Sequence, residues 1–180
     1  MKKKYIKIIP LLLMLNVLTS YGQTKPLTGS LTDSNIRQQA NAMAQAFLNG
    51  NYQTFAKYTY PPLVKAMGGE SRMAATLTQT ISDMQTKGMA FNAITFDSPA
   101  KIVKSNNELQ CTLQQHTTIK LANGKAVATS TLIAISEDGG KNWLFVDTNN
   151  KDAATMRKVL PDLSKEIVIP PQQKPVFYSF

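Results

Sequence analysis

The chain has 180 residues, 20 basic and 11 acidic side chains, a formal net charge of +9, one histidine and one cysteine. A single cysteine excludes an intramolecular disulfide and a thiolate zinc site, so stability has to come from a hydrophobic core. The basic residues are dispersed, include only three arginines and do not interleave with aromatics, which argues against a nucleic-acid surface.

The N-terminus places Lys2, Lys3, Lys4 and Lys7 before the apolar run Ile8 to Leu15 and the small or polar group Thr19 to Gly22, the order of a secretory signal peptide. The run is too short to span a bilayer, so no transmembrane segment is expected in the mature chain. Cleavage is expected after Gly22 and leaves 158 residues, enough for one domain. It removes four lysines and no acid, lowering the net charge from +9 to +5. The product is expected to be exported, periplasmic or extracellular.

Residues 23–32 are polar, contain Pro26 and Gly29, and read as a flexible leader. Asp33 or Ser34 can cap a helix whose apolar stripe is Ile36, Ala40, Met43, Ala44 and Phe47, with Gly50 as its stop. Asn51 can cap a second, short helix carrying Phe55 and Tyr58. Pro61-Pro62 interrupts it and suits the first turn of a new helical piece, Leu63 to Met67. Met73, Leu77, Ile81 and Met84 form the stripe of a further helix closed by Gly88.

Beyond Gly88 the apolar period changes from 3.6 to 2, the mark of strands. Strands are predicted over Met89 to Phe96, Ala100 to Lys104, Glu108 to Leu121, Lys125 to Ser136 and Asn142 to Asp147, with Asn123-Gly124 supplying positive φ at a hairpin turn. The longest strand alternates. Leu109, Cys111, Leu113, Thr117, Ile119 and Leu121 share one face, and Gln110, Thr112, Gln114, His116, Thr118 and Lys120 share the other. One sheet face is therefore expected to be buried and the other polar. Asp152 to Leu160 reads as a short helix. Residues 161–180, with four prolines, read as an extended Pro-rich tail whose last residues are loose.

Helices followed by an antiparallel sheet is the α+β order, with a single domain expected over residues 33–160. The element order, the long third and fourth strands, and Tyr58-Thr59-Tyr60-Pro61-Pro62 before Gly68-Gly69 resemble the nuclear transport factor two-like superfamily. That resemblance implies a cone of opening helices against a strongly curved sheet. The Tyr21-Gly22-Gln23 region, Ser136 to Asp147 and Leu160-Pro161-Asp162-Leu163 are similar to exported proteins of the Bacteroidetes type. The superfamily hosts enzymes, binders and assembly modules, so the fold alone implies no activity.

Ser136-Glu137-Asp138-Gly139-Gly140-Lys141-Asn142-Trp143 fits the Asp-box pattern, a turn device of sialidase-like propellers. A single copy in a chain of this size reads as a hairpin lock and argues for no glycosidase activity. His116 is the one side chain with an ordinary pKa near neutrality, but alternation sets it on the polar face. Asp147 shares the face of Trp143 and Phe145; it is either a base at a cone mouth or a cap for the following helix. Gln115 is a polar side chain in an apolar row, hence pocket-lining or at a bulge. Cys111 reads as a buried, inert thiol, and Gly68-Gly69-Glu70-Ser71 lacks the lysine of a phosphate loop.

These residues lead to an expected non-catalytic domain that binds a small apolar ligand without a cofactor or metal, its pocket lined by Tyr58, Tyr60, Gln115, Trp143 and Asp147. One alternative is a cofactor-free isomerase or dehydratase with Asp147 or His116 as base. Another is an assembly module, a homodimer or a partner of an envelope protein, although the polar row lacks the apolar centre of an obligate interface.

Overall fold

The apolar stripe beginning at Ile36 repeats every three or four residues, and the chain accordingly winds into α1 (Thr28–Leu48). The computed structural model describes residues 28–179, with side chains from residue 32 onward. The signal segment and the first part of the leader lie outside the described residues. Residues 28–32 belong to α1 itself, so the helix starts ahead of the expected cap at Asp33 or Ser34.

Ile36, Ala40, Met43 and Ala44 are buried along one side of α1, and Phe47 is half-buried. Asn51 caps α2 (Tyr52–Tyr58) by accepting the Thr54 N–H at 3.1 Å. Pro61 begins α3 (Pro61–Ala66), where its missing N–H leaves no bond unmade. α4 (Glu70–Thr86) turns Met73 and Ala74 inward, while Leu77, Ile81 and Met84 are half-buried.

The strands are β1 (Ala90–Phe96), β2 (Val103–Ser105), β3 (Glu108–Leu121), β4 (Gly124–Ser136), β5 (Leu144–Asp147) and β6 (Val176–Ser179). They make one six-stranded antiparallel sheet of order β1-β3-β4-β5, with β2 beside the start of β3 and β6 beside the start of β4; it does not close into a barrel. α5 (Ala153–Val159) follows β5 and is capped by Asp152, which accepts the Thr155 N–H at 2.7 Å.

The β3–β4 turn differs from expectation. Leu121 pairs with Gly124, so the loop residues are Ala122 and Asn123, and neither has positive φ. Gly124 carries φ +149° for another reason: a Cβ there would collide with the carbonyl oxygen of Tyr178 on β6. The segment Val176 to Ser179 is likewise not loose, since it pairs with Val127 to Gly124.

Both faces of the sheet are covered at the β3–β4–β5 end. On one, Ile36, Ala40 and Met43 of α1 pack on Cys111, Leu113, Leu132, Ala134, Trp143 and Phe145. Full burial of each large apolar side chain here contributes about 1.5–3 kcal/mol. On the other, Met156, Leu160, Leu163 and Ile167 pack on Val103, Ile133, Ile135 and Val146. The expected wholly polar second face is thus corrected: Gln110 and Thr112 are buried because α5 and the chain after it fold back over them. Gln110 serves as the anchor. Its Nε2 donates to Glu108 Oε2 at 2.6 Å and to the Asp162 carbonyl at 3.1 Å, and its Oε1 accepts the Ser164 N–H at 2.9 Å.

Among the described residues, no helix is long and apolar enough to cross a membrane.

Candidate functional site

The helices cover the rest of the sheet incompletely, leaving a cavity of about 430 Å³ between the two layers. Its helical wall is Met43, Ala44 and Phe47 of α1, Phe55 of α2, Leu63 of α3 and Met73 of α4, with Thr59 from the link between α2 and α3. Phe91 and Ile94 of β1 close one side. Phe47 organises this wall, its ring lying 5.4 Å from that of Phe55 and 5.0 Å from that of Phe91, the second contact edge-on at 88°.

The sheet wall follows from strand parity. Gln115, Thr117 and Ile119 of β3 face the cavity with Ala128, Ser130 and Leu132 of β4 and Phe145 and Asp147 of β5. Pairing places Gln115 opposite Ser130, Thr117 opposite Ala128, and Leu132 opposite Asp147. Leu132 and Phe145 are buried, whereas Asp147 is exposed, so the apolar side chains make the floor and the carboxylate stands at the rim.

A polar strip crosses that wall. Gln115 Nε2 lies 3.4 Å from both Thr117 Oγ1 and Ser130 Oγ, long contacts that hold the amide weakly. Ser130 Oγ donates to Asp147 Oδ2 at 3.2 Å, and the Asn149 N–H donates to Asp147 Oδ1 at 2.7 Å. Asp147 therefore does not cap α5; Asp152 does. Instead it holds the turn in which Asn149 and Asn150 take φ of 49° and 59°.

Of the five residues expected to line a pocket, Gln115 and Asp147 meet on this wall, and Tyr58, Tyr60 and Trp143 stand elsewhere. The chain between α2 and α3 crosses the sheet edge at β5, where Thr59 bridges to Phe145 and the Tyr60 N–H donates to the Phe145 carbonyl at 3.2 Å. This crossing separates the tyrosines. Tyr58 packs against the α1-side core, and Tyr60 packs with Leu63 against the opposite core, where burial raises its phenol pKa above the ordinary value.

His116 lies on the face away from the cavity. Its Nε2 is 3.2 Å from Asp97 Oδ2 and its Nδ1 is 3.1 Å from Thr129 Oγ1, so it cannot reach a molecule held between helices and sheet. Burial pushes the Cys111 thiol up to about 12, which keeps it protonated and unreactive at neutral pH. Among the described residues, no three His, Cys, Asp or Glu side chains converge as metal ligands would.

Residues 136–143 form a hydrogen-bonded turn, none of whose residues lines the cavity. Asp138 Oδ1 accepts the N–H groups of Asn142 at 2.9 Å and Lys141 at 3.1 Å and the Ser136 hydroxyl at 2.9 Å, while Oδ2 accepts the Asn142 amide at 2.7 Å. Gly139 and Gly140 take φ of 76° and 92°, and Trp143 Nε1 donates to the Gly140 carbonyl at 3.1 Å. α1 reads the same turn from outside: Asn35 and Gln39 donate to the carbonyls of Gly140 and Lys141, and Gln39 Oε1 accepts the Trp143 N–H at 2.9 Å.

The Asn142 N–H, followed by the other donors, holds the Asp138 carboxyl down from 3.8 to about 2. A carboxyl whose pKa is lower in the folded chain stabilises above its unfolded value and loses that contribution as pH falls through the folded one. In thermal melts, the advantage of the native chain over Asp138→Asn is therefore constant above about pH 5 and shrinks as the pH is lowered toward about 2. An advantage independent of pH across that window would remove the ionised carboxylate from the turn's stability.

No protein-family model matches the chain, and a search of curated proteins returns no match.

Proposed function

We propose that this protein binds a small, mostly apolar molecule in the cavity between its helices and its sheet, without performing chemistry on it. The observation that carries the reading is the cavity itself: about 430 Å³, walled mostly by Phe, Met, Ile and Leu side chains, with a few convergent polar groups on one side. Volume and composition both suit a small-molecule site, for which about 300–1,000 Å³ is usual. Among the described residues, Asp147 is the single ionisable side chain on the wall, which leaves general acid–base catalysis without a second partner among them.

The reading places the domain in the nuclear transport factor two-like class, with the sheet bent into a cone around the cavity and the Pro-rich segment after α5 laid along its outside. It also makes the protein an exported one, on the strength of the Lys2 to Gly22 pattern.

The test uses Nile red, a neutral apolar dye that brightens when it leaves water. The mature chain is expected to enhance and blue-shift its emission with a saturable, one-site profile. Ala128→Trp, which puts an indole into the cavity from the middle of β4, is expected to abolish that signal while melting within a few degrees of the native chain. No saturable signal from the native chain, or an undiminished one from Ala128→Trp, would remove the cavity as the binding site.

A further inference from the structure

Among the described residues, Asp147 is the one charged side chain on the cavity wall. Resting on the binding reading above, we propose that the ligand is a cationic amphiphile, an apolar body carrying an amine that docks on Asp147 at the rim.

Asp147 is exposed at the edge of a wall otherwise made of uncharged side chains. The described residues hold two ion pairs, Lys101 with Glu166 and His116 with Asp97, and neither involves Asp147. Its carboxylate therefore meets hydrogen-bond donors, Ser130 Oγ and the Asn149 N–H, but no neutralising cation. Two oxygens offer about four lone-pair positions, of which these donors occupy two. The chain as a whole is basic, so a lone carboxylate at the mouth of its apolar cavity runs against the prevailing charge.

The neighbouring polar atoms suit the same ligand end. Gln115 directs its amide N–H toward Thr117 and Ser130, and among the described residues nothing donates to its Oε1. An ammonium has three donors and no acceptor, which matches a cluster of a carboxylate, a hydroxyl and an amide oxygen. Charge-assisted contacts of this kind are roughly twice as strong as neutral ones. A carboxylate or phosphate head would instead meet like charge, with no lysine or arginine among the described wall residues to relieve it. A hydroxyl head would gain one neutral bond. Below the rim the wall is mostly Phe47, Phe55, Ile94, Ile119 and Leu132, and its two hydroxyls already have partners, Thr59 donating to the Phe55 carbonyl at 3.3 Å and Thr117 lying 3.4 Å from the Gln115 amide, so the remainder of the ligand is apolar.

The experiment displaces Nile red at neutral pH with three probes that share one chain and differ in the head group: octylamine, octanol and octanoate. Octylamine is expected to displace the dye at a concentration about tenfold below that of octanol, with octanoate weakest. In Asp147→Asn, referred to that variant's own affinity for the dye, the preference of amine over alcohol disappears. Equal displacement by the three probes, a stronger effect of octanoate, or an amine preference that survives in Asp147→Asn would overturn the cationic ligand and leave the apolar cavity standing. If the dye itself fails to bind the native chain, the cavity reading falls and this inference with it. The order of the three probes on the native chain decides the matter even if the variant folds poorly.

Discussion

Replacing Trp143 by alanine is expected to destabilise the protein by about 3–5 kcal/mol, the range for deleting a large aromatic from a packed core. Trp143 is 1% exposed and sits where three structures meet: the α1 stripe, the β3–β4 face and the 136–143 turn. Its removal opens a cavity in the cluster that Ile36, Ala40 and Met43 of α1 share with the sheet, and leaves the Gly140 carbonyl without the indole N–H. The backbone bond from Trp143 N–H to Gln39 survives the substitution, so α1 stays tethered while the core beneath it loosens. In urea the midpoint falls and the slope stays constant, whereas Trp143→Phe, which keeps most of the volume, costs less than half as much. A loss below about 1 kcal/mol for the alanine variant would show that Trp143 is not packed into the core under α1.

Gln110→Ala is expected to cost about 2–4 kcal/mol, and to act first on a different part of the molecule. Gln110 is 1% exposed, and its amide satisfies the Ser164 N–H and the Asp162 carbonyl. Truncation leaves those backbone groups without the amide that holds them and releases the stretch whose Leu160, Leu163 and Ile167 cover Ile133, Ile135 and Val146. Hydrogen exchange reports this directly: the amides of Ser164 and Ile167 lose protection, while those of α1 keep theirs until global unfolding. Gln110→Met, which fills similar space without the hydrogen bonds, is expected to recover the packing part of the loss and none of the protection at Ser164. Protection at Ser164 equal to that of the native chain in either variant would show that apolar burial alone holds the segment.

These two residues also mark the limits of the sequence pattern. The alternation along β3 assigned every side chain to its correct face, yet it read Gln110 and Thr112 as solvated because their neighbours are polar. The contrary signal stood on the partner strand. Thr131 to Ile135 runs Thr-Leu-Ile-Ala-Ile with no alternation, the mark of a strand buried on both sides. What covers the second face comes from Leu160, at the end of the short helix, and from Leu163 and Ile167, which continue its spacing beyond Pro161; the proline ends the helical pattern, so these two read as tail.

The candidate site divides in the same way. Gln115 was visible as a polar residue in an apolar row and Asp147 as a strand-end carboxylate on the face of Phe145. Ser130, which joins them, was not. A turn centred on Asn123-Gly124 would have placed Gln115 opposite Leu132; the turn at Ala122-Asn123 places it opposite Ser130. Strand period preserves the face under such a two-residue change of register and alters the partner. Tyr58 and Tyr60 share strand-like spacing, but their connection crosses the sheet edge at Phe145, which sends them to opposite cores.

By itself, then, the sequence determined the α+β order, the approximate positions of the helices and of the first five strands, and the face each β3 side chain takes, because these depend on local backbone periods of 3.6 and 2 and on capping and turn residues a few positions apart. The tertiary structure alone decided the double covering of the sheet, the meeting of Gln115, Ser130 and Asp147, and which apolar side chains fill the core and which stand around a cavity. Those outcomes depend on long-range register and on how closely a helix layer can approach a sheet, quantities set by the packing of many side chains at once rather than by any one stretch of chain.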